Sequence, residues 1–280
     1  MKRILTIQDV SCVGKCSLTV ALPIISAAQV ETCVLPTAVL SNHTHEIFHG
    51  YTFADLTGEI NPIVRQWLIS GVTFDAIYTG YLGSFEQMDL IENLIETFRQ
   101  DDQFVFIDPV LGDAGKLYSG FDKHFAKRMA KFCAKADYIA PNMTEVAALL
   151  DREYIPSGYS EEYVCQTLYR LAELGPRVVA ITGVEYAKDQ YGIVGLDVQA
   201  NEFFTYFHER IDGSYHGAGD IFSSATVAAL ARGKSAPEAF KIAADFTLDS
   251  IRATLRNPTP RNYGVDFETA LPKFIRVFDQ

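Results

Sequence analysis

Residues 104–107 read FVFI and residues 178–182 read VVAIT, two short and almost wholly apolar runs. A strand with one face in water alternates apolar and polar residues, so runs of this kind belong to strands buried on both faces. Further strands are expected over residues 3–7, 31–36, 75–81 and 137–140. Helical spacing of apolar residues is expected between and beyond them, over 16–28 (bent by Pro23), 60–70, 85–100, 123–135, 160–174, 236–255 and 267–278. Strand alternating with helix along most of a chain requires a mostly parallel central sheet with helices on both faces. Residues 191–196 and 202–208 are joined by a link too short for a crossover, which makes them an antiparallel edge pair. With 280 residues and 48% hydrophobic content, the chain is expected to form a single α/β domain, 1–280.

The stretch most suggestive of chemistry is residues 215–232, YHGAGDIFSSATVAALAR. Gly217, Ala218 and Gly219 lead through Asp220 into an apolar helix. A helix entry offers unpaired N–H groups and the positive end of the helix dipole, and glycines let an anion come close. Asp220 has two readings. It is an ordinary first-turn carboxylate, stabilising the helix by about 0.3–1 kcal/mol, or it is a proton acceptor beside bound phosphate oxygens. The small residues before it favour the second. The helix entry favours the charged carboxylate and so predicts a lowered proton affinity.

The formal charge of -11 and pI near 5.0 argue against a nucleic-acid surface. Five scattered cysteines form no C-x-x-C pair, and no apolar run reaches membrane-spanning length, so a cytoplasmic protein without membrane contact is expected. Gly14-Lys15 imitates the tail of a P-loop, but Asp9 stands where the first glycine is required and Cys16 where Ser or Thr must be. His45, Glu46 and His49 match H-E-x-x-H, the pattern of zinc hydrolases; Gly50 ends the segment at once, and a loop covering a pocket is the expected structure. Beyond the strand at 104–107, Asp108 and Asp113 suit either a turn or an arrangement of Mg2+ and phosphate. Asn142 and Glu145 have capping-box spacing, which leaves Glu145 able to hold metal-bound water as well.

Taken together, Ser41-Asn42-His43-Thr44, Thr79-Gly80-Tyr81, DPVLGD (108–113), APNMTE (140–145), Ile181-Thr182-Gly183 and GAGD (217–220) resemble the pyridoxal kinase family, particularly the forms called pyridoxamine kinase. That family belongs to the ribokinase-like superfamily, whose fold is a three-layer sandwich. The resemblance implies transfer of the ATP γ-phosphoryl group to the 5'-hydroxymethyl of a vitamin B6 vitamer. By that resemblance Asp220 accepts the hydroxyl proton and the N–H groups of Gly217, Ala218 and Gly219 hold the phosphoryl charge. Asp108, Asn142, Thr182 and Gly183 line the nucleotide side, and Asp108 and Glu145 the Mg2+ side. Asp9, Thr44 and Tyr81 meet the pyridine ring, under loops 9–14 and 42–49. Members are generally homodimers, and some need a monovalent cation such as K+. Three departures stand out: Asp9 replaces a common Ser, and Ala140 and Gly183 replace a common Thr and Ser. The acid at position 9 suggests a preference for pyridoxamine. Other readings are a hydroxymethylpyrimidine kinase of the same superfamily, a zinc-dependent hydrolase using His45, Glu46 and His49, and a catalytically silent nucleotide-binding regulator.

Overall fold

A computed structural model describes residues 1–44, 47–187 and 190–279. The chain runs β1 (Arg3–Ser11), α1 (Leu18–Ala27), β2 (Glu31–Leu40), β3 (Phe53–Asp55), α2 (Thr57–Ile69), β4 (Ala76–Thr79), α3 (Phe85–Phe98) and β5 (Phe104–Ile107). A small hairpin of β6 (Gly112–Asp113) and β7 (Lys116–Leu117) follows, then α4 (Lys123–Phe132), a 3-10 turn (Cys133–Lys135), β8 (Tyr138–Ile139), α5 (Met143–Leu149) and α6 (Glu161–Ala172). The last part comprises β9 (Val178–Ala187), β10 (Gln190–Asp197), β11 (Glu202–Glu209), α7 (Ala218–Ala231), α8 (Ala236–Arg256) and α9 (Phe267–Arg276).

One large sheet has the order β11-β10-β9-β8-β5-β4-β1-β2-β3. The six strands from β9 to β2 pair in parallel, and β10 and β11 form the expected antiparallel edge. The other edge is antiparallel too, because β3 pairs back on β2, an element not expected from the sequence.

Both faces of the sheet are covered, and successive residues divide between two cores. Leu5, Ile77, Val105, Ile107, Val179 and Ile181 point into the layer with α3, α4 and α6. Ile4, Ala76, Tyr78, Phe106, Val178 and Ala180 point into the layer with α1, α7, α8 and α9. That division is why the central strands are apolar at every position.

Three strands run past their expected carboxyl ends, β1 to Ser11, β2 to Leu40 and β9 to Ala187. Gly183 does not end its strand as expected. Thr182 pairs with Ile193 and Val184 with Gly192, so Gly183, at φ 71°, is the extra residue of a bulge and the strand continues. The first helix begins only at Leu18, because Ser17 has φ 48° and ψ −130°. Among the described residues no helix is long and apolar enough to cross a membrane.

Ile107, fully buried at the end of β5, sets a test of this layering. Ile107→Ala is expected to lower the unfolding free energy by about 2–5 kcal/mol in urea titration. Leu68→Ala, on the half-exposed side of α2, is expected to change it by less than about 0.5 kcal/mol.

Candidate active site

The chain after β1 and after β5 meets the start of α7, on the carboxyl edge shared with β4, β8 and β9, the edge at which open α/β sheets bind ligands. Gly217 caps α7 with φ 79° and ψ −1°, a left-handed conformation that favours glycine. A Cβ at this position would also run into the carbonyl oxygen of Lys15. The three N–H groups at the entry are not equivalent. Ala218 N–H donates to the Tyr215 carbonyl at 3.1 Å, closing a turn, which corrects the expectation that all three are open to an anion. Gly217 and Gly219 are the ones with no such bond among the described residues.

Asp220 lies in the first turn, half-buried, with its pKa raised from 3.8 to about 7. Burial is the main cause, the Asp108 charge adds to it, the Ser17 backbone N–H opposes it, and Asp9 adds a little more. The expectation of a lowered proton affinity is therefore overturned. A helix end contributes partial charges at one side, whereas loss of water and two neighbouring carboxylates act on the charged form directly.

Asp108 follows β5, buried, and its Oδ2 accepts a 2.7 Å hydrogen bond from Ser223 Oγ, one turn beyond Asp220 on α7. Burial pushes Asp108 up to about 6 against that hydrogen bond. Glu145 is pushed well above the usual carboxylate range, first by burial and then by Asp108. Its oxygens accept from Asn142 N–H at 2.9 Å and Leu111 N–H at 3.2 Å, and the expected capping box of α5 is present. Asn142 Oδ1 accepts from Thr144 and Glu145 N–H, and its Nδ2 donates to the Gly112 carbonyl at 3.0 Å. Asn142 also bridges to Thr182, so the ends of β8 and β9 lie side by side. At Gly183 the place of a side chain is taken: a Cβ would stand 2.8 Å from the Tyr191 hydroxyl.

On the other side of Asp220 lies Asp9, buried, accepting hydrogen bonds from Ser17 Oγ at 2.6 Å and Ser11 Oγ at 3.4 Å. Burial raises its pKa despite both. Tyr81 is half-buried and stacks on Phe121 at 5.6 Å; burial raises its phenol, and the Asp9 charge raises it further. The Asp9 charge reaching Tyr81 puts these two together, and Thr44 is exposed and makes no side-chain hydrogen bond among the described residues.

Three segments cover this region. His43 N–H donates to the Val13 carbonyl at 2.8 Å, the His43 and His216 rings lie 5.9 Å apart, and Phe48 stacks on Tyr263 at 5.6 Å. A cavity of about 450 Å³ opens beside the start of α7, between Tyr215, His216 and the segment carrying Thr254, Asn257, Arg261 and Val265. Of the H-E-x-x-H residues, His45 and Glu46 lie outside the described residues. Among the described residues no three His, Cys, Asp or Glu side chains are grouped to hold a metal.

Sequence reasoning missed Ser17, Tyr118 and Ser223. Ser223 was within reach, since it stands three residues after Asp220 on an expected helix. Tyr118 gave no local signal; its phenol is raised by burial and then by Glu145, Asp113, Asp220 and Asp108, which puts it beside the same carboxylates.

Comparison with known proteins identifies the family. The profile of the phosphomethylpyrimidine kinase family matches residues 22–262. A crystal structure described as a putative phosphomethylpyrimidine kinase from Bacteroides thetaiotaomicron is 39% identical, with a TM-score of 0.92 over 97% of this chain and 93% of that one. Another crystal form with the same description, at a TM-score of 0.91, contains pyridoxal. Pyridoxal kinase from Lactobacillus plantarum is 28% identical with a TM-score of 0.89, covering 99% of this chain and 98% of that one. Among curated proteins, the pyridoxine/pyridoxal/pyridoxamine kinase of Bordetella avium is 26% identical over 90% of this chain and 85% of its own length. By profile and fold, this chain is a member of the phosphomethylpyrimidine kinase family and of the pyridoxal kinase group within the ribokinase-like superfamily of phosphotransferases.

Proposed function

We propose that the protein transfers the γ-phosphoryl group of ATP to the 5'-hydroxymethyl group of a vitamin B6 vitamer. The observation that carries the reading is Asp220, a carboxylate at the glycine-flanked entry of α7 with proton affinity near neutrality. The pyridoxal in the 39% identical Bacteroides crystal form supports the substrate class.

In this reading the alcohol oxygen bonds to the γ-phosphorus as the bond to the β–γ bridging oxygen breaks. The hydroxyl proton passes to Asp220, and ADP leaves with the bridging oxygen. A group that titrates near 7 is suited to take a proton from an alcohol that is becoming an ester and to release it afterwards. Gly217 and Gly219 N–H groups stabilise the charge on the transferred group, where fixed dipoles contribute most. Asn142, Thr182 and Gly183 line the nucleotide phosphates, and Asp9 and Tyr81 border the ring.

Asp108 and Glu145 fit Mg2+: both are buried oxygen ligands, each raised in pKa, with no cationic side chain among the causes. Bound there, Mg2+ would neutralise phosphate charge.

A second reading, phosphorylation of hydroxymethylpyrimidine, is favoured by the family profile itself. A coupled ADP-release assay across pyridoxal, pyridoxamine, pyridoxine and hydroxymethylpyrimidine decides between them. If only the pyrimidine is turned over, the vitamin B6 reading fails. Equal specificity constants for pyridoxal and pyridoxamine would remove the proposed role of Asp9 in amine preference.

Asp220→Asn is expected to cut turnover about 10²- to 10⁴-fold with ADP affinity by calorimetry largely kept. Wild-type turnover in that variant would take Asp220 out of the mechanism. Because the ionised form accepts the proton, kcat/KM should fall as pH drops through about 7. An acid limb near 4 instead would mean that Asp220 is not held as described. Gly217→Ala, which combines a positive φ with a clash against Lys15, should lose most activity; an active variant would show that the capping geometry is dispensable.

A further inference from the structure

Gly14-Lys15, set aside above as a false P-loop, holds the most heavily committed lysine of the molecule's ligand-binding edge. Lys15 Nζ lies 2.7 Å from Asp266 Oδ1 and 2.9 Å from Glu268 Oε2, with only 15% of its side chain exposed. It also sits 5.9 Å from the centre of the Phe267 ring. Asp266 is itself fixed, its Oδ2 accepting from Asn257 Nδ2 at 2.7 Å and its N–H donating to Thr254 Oγ1 at 2.8 Å. Gly264 leaves the room: a Cβ there would collide with the Lys15 side chain. The β1–α1 loop is thus clamped to the start of α9, about 250 residues away in sequence.

What the clamp holds is the backbone of residues 15–17. The Lys15 carbonyl oxygen abuts Gly217, and the Ser17 N–H lies on the side of the Asp220 carboxylate, where it opposes the rise in its pKa. Ser17 stands there at φ 48° and ψ −130°, a conformation rare for a side-chain-bearing residue. Such a conformation persists only where the surroundings over-determine it. Ser17 Oγ on Asp9 fixes one side of the loop, and the Lys15 ion pairs fix the other.

We propose that Lys15 is a positioning residue of the phosphoryl-transfer site: by clamping the β1–α1 loop to segment 264–268, it sets the Lys15–Ser17 backbone against Gly217 and Asp220. The inference rests on the phosphotransfer reading above. It assigns Lys15 no contact with substrate, and it makes the α8–α9 segment a structural part of the site.

The alternative is that the ion pairs merely stabilise α9. In the full-length protein, Lys15→Met is expected to lower kcat about 10²-fold, since misplacement by about 1 Å has that effect, while calorimetric ADP affinity is retained. Lys15→Arg, able to span both carboxylates, should recover most of the loss. Hydrogen exchange should quicken at residues 12–17 and 217–221 in Lys15→Met. Should Lys15→Met fail to fold, Glu268→Gln, which removes the exposed arm of the clamp, should give a smaller loss of kcat with the same exchange pattern. Unchanged kcat with unchanged exchange at 217–221, or faster exchange confined to α9, overturns the proposal. A wild-type protein that phosphorylates none of the four alcohols sinks the functional reading instead, and the exchange pattern then still decides the positioning claim.

Discussion

Nothing larger than a hydrogen atom fits between Gly217 and the carbonyl of Lys15, and the site is arranged around that contact. It fixes where α7 begins and therefore where the Gly217 and Gly219 N–H groups and the Asp220 carboxylate stand. Two loops from opposite ends of the chain are brought to one point by it. Gly217 serves two requirements at once, a left-handed cap and the absence of a side chain. No other residue meets both.

Around that contact the protein collects carboxylates instead of separating them. Asp9, Asp108, Glu145 and Asp220 all have raised proton affinity, with burial as the first cause in each. An apolar core would be cheaper to build than a buried cluster of acids. The same neighbours that make the cluster costly raise the proton affinity of Asp220.

The sheet makes this convergence possible. Parallel strands all end at the same edge, so residues after β1, β5, β8 and β9 become neighbours although far apart in sequence. The bulge at Gly183 and the extension of β1 to Ser11 carry chain beyond the expected strand ends into the site. Both depend on hydrogen bonds to a neighbouring strand, which a window of local sequence does not contain.

The sequence by itself determined the layer architecture, because burial on both faces leaves an uninterrupted apolar signature in FVFI and VVAIT. It also determined the α7 entry and the α5 capping box, whose residues act on their own helices at fixed spacing. Only the tertiary structure decided the direction of the Asp220 shift, the burial of Asp9, the exposure of Thr44 and the edge strand β3. It alone turned Lys15 from an unused motif into a clamp. These properties depend on which groups from distant segments exclude water or share a charge at one place. Local residue order carries spacing, but solvent exclusion and long-range electrostatics exist only once the chain has folded.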